Sequence, residues 1–152
     1  MPPEVAILVG LQGSGKTSFY RQHLAATHDH VSKDLMPNVR RRDTRQMALV
    51  EASLAAGRSV AVDNTNPTRA DRAPLVAAAR AHGARVVAYV MLTPVRDSLA
   101  RNRTREGRAR VPDVALFVTA KRMQIPTVDE GFDAVYHVAA EAGEFKVQPG
   151  LL

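Results

Sequence analysis

Residues Gly10 to Thr17 read G-L-Q-G-S-G-K-T and follow directly on the apolar run Val5-Ala6-Ile7-Leu8-Val9. This fits the phosphate-cradling pattern G-x-x-x-x-G-K-[ST] at every fixed position, in the order buried strand, loop, helix that the pattern requires. Glycines at 10, 13 and 15 let the backbone curl around phosphate oxygens, with Ser14 held between the last two. Lys16 is placed to reach the β and γ oxygens, and the Thr17 hydroxyl to ligate Mg²⁺ as the helix opens. A glycine-rich turn without a ligand would need neither the lysine nor the hydroxyl. The segment therefore predicts binding of a nucleoside triphosphate, with Gly13, Ser14, Gly15, Lys16 and Thr17 as its contacts.

Beyond that loop, apolar runs rich in β-branched residues alternate with longer Ala/Leu/Arg stretches of helical character. Strands are predicted near 5–9, 29–32, 59–62, 85–91 and 134–138, and helices near 16–26, 44–56, 69–81, 94–105 and 113–123. Gly57 and Gly83 sit just past two of these helices, where a left-handed cap residue is expected. Thr93-Pro94 reads as a helix cap followed by proline at the first helical position. The expected architecture is α/β, a five-stranded parallel sheet flanked by helices on both faces, with its ligand at the carboxyl ends of the strands. At 152 residues, without a linker, one domain spanning 1–152 is expected. The tail from 141 to 152 lacks periodicity and is expected to be loose.

The chain has no cysteine, which excludes disulfides, thiolate chemistry and cysteine-rich zinc sites. No amino-terminal targeting pattern and no stretch long enough to cross a bilayer is present, so a soluble, cytoplasmic protein with no membrane partner is expected. The net charge of +6 is carried mostly by arginine, whose planar fork suits phosphate. An anionic partner is compatible with that excess, and so is a simple compositional bias.

Three further clusters carry chemistry. V-S-K-D at 31–34 ends the second predicted strand, where a carboxylate would face the γ-phosphate; Asp34 is then either the base that accepts a hydroxyl proton or the cap of the next segment. V-D-N-T-N-P at 62–67 places four small polar residues where the chain leaves the third strand. Either they hydrogen-bond something specific, or they form an ordinary Asx-turn ending in Pro67. Arg72, one to two turns on, either aims into the same cleft or lies on the surface. R-N-R-T-R-E-G-R-A-R at 101–110 sets Arg101 and Arg105 four apart, on one face of a helix, before a loop at about 103–112 that could close as a lid. A solvated arginine-rich helix end is the alternative. His28 and His30 share a strand face as metal ligands would, without a third ligand nearby in sequence.

Taken together, these segments resemble the 5′-hydroxyl polynucleotide kinases, from about Val5 to Val138. The points of likeness are the phosphate loop, the hydrophobic-S-K-D strand end, D-N-T-N-P, R-N-x-x-R and P-T-x-x-E-G-F at 126–132. The resemblance implies that Lys16 and Thr17 hold ATP and Mg²⁺, that Asp34 is the general base, and that Arg101 and Arg105 are lid arginines on the phosphates. It further implies that Lys33 and Arg72 contact the acceptor, with Asp63 and Asn64 also on the substrate side.

The chain departs from the family in having Gln12 where proline is common, Lys33 where arginine is common before the base, and Pro37 where some members carry an arginine. Arg40, Arg41 and Arg42 are close enough to substitute for that arginine. The expected activity is ATP- and Mg²⁺-dependent phosphorylation of the 5′-hydroxyl end of DNA or RNA, any phosphatase or ligase partner being a separate chain. A small-molecule or nucleotide kinase on the same scaffold, and an ATP-binding switch or toxin-like regulator with little turnover, are the alternatives.

Overall fold

The computed structural model describes residues 2–36, 38–141 and 143–150. Position 37, where the family arginine is replaced by proline, lies outside them. Six strands form one sheet in the order β2-β3-β1-β4-β5-β6: β1 Glu4–Val9, β2 His28–Val31, β3 Ser59–Asp63, β4 Arg85–Met91, β5 Ala134–Glu141 and β6 Glu144–Pro149. The first five run parallel, with Ala6 opposite Ala61 on one side of β1 and opposite Val87 on the other.

Position in the sheet explains why β1 reads as an unbroken apolar run. It is covered on both faces, and Val5, Ala6, Ile7, Leu8 and Val9 are all fully buried. Val5, Ile7 and Val9 meet Val50, Leu54, Leu75, Val76 and Phe132 on one face. Ala6 and Leu8 meet Phe19, Tyr20 and Leu24 on the other. The alternation of side chains along a strand thus divides β1 between two cores. The helices are α1 Lys16–Phe19, α2 Arg42–Ala55, α3 Arg69–Ala81, α4 Val95–Thr104 and α5 Asp113–Arg122. The first widens into a π-type turn over Tyr20–Leu24, closed by Ala25 N–H on the Tyr20 carbonyl at 2.8 Å. Gly57 and Gly83 hold positive φ just beyond α2 and α3, as their positions in sequence predict.

Two expectations need correction. The tail is not loose where it is described: β6 pairs antiparallel with β5, from Glu141 opposite Glu144 to Tyr136 opposite Pro149. The period-two signal in Glu144-Phe145-Lys146-Val147-Gln148 is short and only Phe145 packs appreciably, which is why it reads weakly in sequence. Nor does Thr93 cap α4. The cap position belongs to Pro94, while the Thr93 hydroxyl donates to the Ser14 carbonyl at 2.6 Å and ties the phosphate loop to the end of β4.

No helix among the described residues is long and apolar enough to cross a membrane. β1 lies between β3 and β4, so the connection that follows β1 and the one that follows β3 run to opposite sides of the sheet, and the crevice of such a sheet opens at that reversal.

Candidate active site

The loop after β1 folds as its glycines dictate. Gly13 has φ +77° and Gly15 φ +101°, conformations that glycine adopts without steric cost. Space imposes the same choice at Gly13, where a Cβ would come within 2.6 Å of the Ser98 carbonyl oxygen in α4. A Cβ on Gly15 would meet Arg101 Nη1 at 2.7 Å, so the Arg101 guanidinium lies over the loop.

Lys16 is buried, and its Nζ donates to the carbonyls of Gly10 at 3.0 Å and Leu11 at 2.8 Å. Burial lowers its pKa to about 8; Asp63 pulls it back up, the Arg105 charge pushes it further down, and Asp34 raises it. The lysine is thus a partly desolvated cation turned back on its own loop.

Around it opens a cleft of about 600 Å³, within the usual size of a small-ligand site. Lys16, Thr17, Lys33, Asp34, Asp63, Asn64 and Arg105 all line it. Residues from the ends of three strands and from the segment after α4 therefore converge on one space.

The D-N-T-N-P segment makes that convergence possible. The Thr17 hydroxyl donates to Asp63 Oδ2 at 2.7 Å, and His30 Nε2 meets the same oxygen at 2.8 Å. Burial by itself would raise the Asp63 carboxyl, but the hydrogen bonds from His30 and Thr17 and the charge of Lys16 outweigh it and hold the group below the ordinary carboxylate range. Asn64 Oδ1 accepts from the Lys33 backbone N–H at 2.9 Å, and its Nδ2 donates to Gln46 of α2 at 2.6 Å. The Thr65 carbonyl accepts from Gly10 N–H at 3.1 Å. Asn66, in the left-handed region at φ +44°, donates to the Leu8 carbonyl at 2.8 Å. Four consecutive residues thus tie together the phosphate loop's threonine, the turn at Lys33 and the end of β1.

Asp34 belongs to a single 3₁₀ turn, Lys33–Leu35, capped by Ser32, whose hydroxyl accepts from Asp34 N–H at 3.2 Å. The capping duty falls to the serine. The Asp34 side chain is exposed toward the cleft and makes no hydrogen bond among the described residues. Lys33 pairs with Asp43 in the first turn of α2.

Arg101 and Arg105 do not share one helix face, because α4 ends at Thr104 and Arg105 is already extended, with ψ 153°. Arg101 covers the loop from outside, while Arg105 lines the cleft. The segment between α4 and α5 is pinned at its base by Asn102, which accepts from Val111 N–H at 2.9 Å and donates to the Val111 carbonyl at 2.6 Å.

Arg72 is displaced from its expected role. It is fully buried, its Nε and Nη2 donating to the two Glu130 oxygens at 3.0 and 2.9 Å and its Nη1 to the Asn66 carbonyl at 2.9 Å. The E of P-T-x-x-E-G-F is thus a structural partner that clamps α3 to the segment before β5, and Arg72 is not among the residues lining the cleft. Glu130→Ala is expected to leave a buried, unpaired guanidinium and to lower stability by about 3–5 kcal/mol, seen as a reduced urea midpoint. Unchanged stability with weakened acceptor binding would return Arg72 to the substrate side.

His28 and His30 do not act together. His28 meets Glu4 at 2.9 Å and His30 meets Asp63, and no group of three or more His, Asp or Glu residues among those described is arranged to hold a metal. Sequence reasoning missed His30, Gln46, Asn102 and Glu130 as partners of site residues. Only the density of small polar residues at 63–66 signals that such partners must exist.

A bifunctional polynucleotide phosphatase/kinase of Schizosaccharomyces pombe is 27% identical over 148 residues, which cover 89% of this chain and 33% of that one. This chain spans about a third of the length of the curated relatives it matches. A fungal RNA kinase superposes with TM-score 0.65 at 16% identity, covering 91% of this chain and 38% of its own. A gluconokinase of Sinorhizobium meliloti superposes with TM-score 0.62 at 19% identity, covering 90% and 82%. The fold is that of P-loop kinases, six strands replacing the five expected. A family model described as an AAA domain matches residues 5–124, most of the chain, and the protein belongs to that family of nucleotide-binding P-loop domains.

Proposed function

We propose that this chain is a phosphotransferase that moves the γ-phosphoryl group of ATP to the 5′-hydroxyl of a nucleic acid. The observation that carries this is the placement of Asp34, a carboxylate with no hydrogen bond among the described residues, in the same cleft as Lys16 and the Thr17–Asp63 pair. A hydroxyl entering between them forms its O–P bond while the bond from Pγ to the β–γ bridging oxygen breaks, and its proton passes to Asp34. Lys16 and Arg105 neutralise the charge that spreads over the transferring group, and Arg101 fixes the loop that holds it.

The residues present fit a divalent cation. The Thr17 hydroxyl proton is committed to an anionic Asp63, which leaves the hydroxyl lone pairs available beside the cleft. Thr17 would ligate Mg²⁺ and Asp63 would hold its hydration shell; when bound, the ion screens the phosphate charge. Asp63 is thereby reassigned from the acceptor to the metal side, and Asn64 to the support of Lys33.

A nucleic acid is the favoured acceptor because Lys33, Arg42 and Arg122 are among the residues that line the cleft, and because the S. pombe relative is named a polynucleotide phosphatase/kinase. Labelled phosphate is expected to pass from ATP to 5′-hydroxyl oligonucleotides in preference to nucleosides or sugars. The apparent oligonucleotide affinity should fall with salt at a logarithmic slope of about −2 for three phosphate contacts. Lys33→Ala and Arg42→Ala should each flatten that slope by up to about 0.7 and leave the KM for ATP unchanged. Transfer to a sugar or nucleoside with none to oligonucleotides would establish the small-molecule kinase instead.

A further inference from the structure

His30 lies on β2, in register with Ala61 of β3, the strand that separates it from β1 and the loop that holds Lys16. Its ring stacks on Tyr20 with centroids 4.1 Å apart and planes 15° from parallel. Tyr20 in turn donates its hydroxyl to the His28 carbonyl at 2.6 Å, so the platform under the ring is tied to the same strand that carries it. From that fixed position Nε2 meets Asp63 Oδ2 at 2.8 Å. The oxygen belongs to an ionised carboxylate, which only accepts, so Nε2 carries the hydrogen.

Thr17 donates to the same Oδ2, at 2.7 Å. No residue among those described donates to Oδ1. One oxygen therefore carries both protein donors, and the other is left as an acceptor. With Thr17 alone, the carboxylate could turn about its Cβ–Cγ bond and exchange its two oxygens. A second donor, approaching from another strand and locked by stacking, fixes the carboxylate plane.

We infer that His30 is a positioning residue that holds the Asp63 carboxylate ready for the hydration shell of a nucleotide-bound divalent cation. This rests on the phosphotransferase function proposed above, and assigns a task to a histidine whose spacing from His28 suggested direct metal ligation. Its effect belongs to metal-dependent nucleotide binding and not to the loop–phosphate contacts, which Lys16 and the loop amides make without it. Residues that orient the partners of a metal typically contribute about 10–100-fold to metal affinity.

Two substitutions separate the hydrogen bond from the stacking. His30→Phe keeps a flat ring on Tyr20 and removes the donor; His30→Gln places an amide N–H near the same point and removes the ring. The measurement is equilibrium binding of a non-hydrolysable ATP analogue at graded free Mg²⁺ and in EDTA, with thermal unfolding as the folding control. His30→Phe is expected to require about tenfold more Mg²⁺ for half-maximal enhancement, while His30→Gln stays within about threefold of wild type and all three proteins bind equally in EDTA. Should His30→Phe fail to fold, His30→Leu carries the same expectation.

Wild-type Mg²⁺ dependence in the donor-less variant overturns the assignment. So does equal impairment of both variants, which would make the stacking decisive, or equal weakening in EDTA, which would show a general distortion of the loop. If the wild-type protein binds the analogue but Mg²⁺ does not strengthen that binding, the phosphotransferase proposal fails, and the role of His30 with it. A normal wild-type response with unaffected variants removes the His30 role alone.

Discussion

Lys16→Met is expected to lower kcat by roughly 10³-fold or more while the protein stays folded, because in the proposed transfer it removes a cation beside the charge that would develop on the transferring phosphoryl group. Methionine is the informative replacement because Lys16 is buried. Alanine would open a gap beside the Gly10 and Leu11 carbonyls and mix a packing defect with a catalytic one. Single-turnover transfer from labelled ATP, with thermal unfolding as the control for folding, makes the comparison. A folded Lys16→Met protein that retains a tenth or more of wild-type turnover would remove Lys16 from the chemistry.

Asp34→Asn should reduce turnover by about 10² or more with little effect on nucleotide affinity. The asparagine keeps size and polarity but lacks a basic oxygen of sufficient strength. Because Ser32 caps the turn through its hydroxyl, the substitution leaves that local structure in place, so lost activity cannot be attributed to an unravelled turn. ATP-analogue binding and kcat measured on one preparation separate the two effects. A fall in kcat of less than tenfold would place the proton acceptor elsewhere.

Much of this arrangement is legible in the sequence, for reasons that differ by element. α3 is predicted at 69–81 and spans Arg69–Ala81, because Thr68 and Asp71 form a capping box at one end and Gly83 follows the other. The phosphate loop is legible because its glycines are required by φ and by the close approach of α4, both set locally or nearly so. Arg72 is not. An arginine at a helix surface and one sealed against Glu130 have the same local sequence, and the difference lies 58 positions away. The helix face expected to be shared by Arg101 and Arg105 fails for a smaller reason: the four-residue spacing assumes that α4 continues one residue further than it does. Asp63 is recognised as a polar group that must have partners, but those partners, Thr17 and His30, come from two other strand–loop units that only the folded sheet places next to it.

Because the side chains of Asp63, Asn64 and Asn66 hold the phosphate loop's threonine, the turn carrying Asp34 and the end of β1, this short stretch would, in the proposed transfer, work as a jig that sets donor and acceptor against each other. Phosphoryl transfer in line demands that both reactants be placed to within a fraction of an ångström, and under the proposed function a single segment would supply the common reference for both. A defect introduced in it would therefore appear in nucleotide and acceptor kinetics together. Sorting its residues into donor-side and acceptor-side sets by their KM values would misread a shared geometry as two separate affinities.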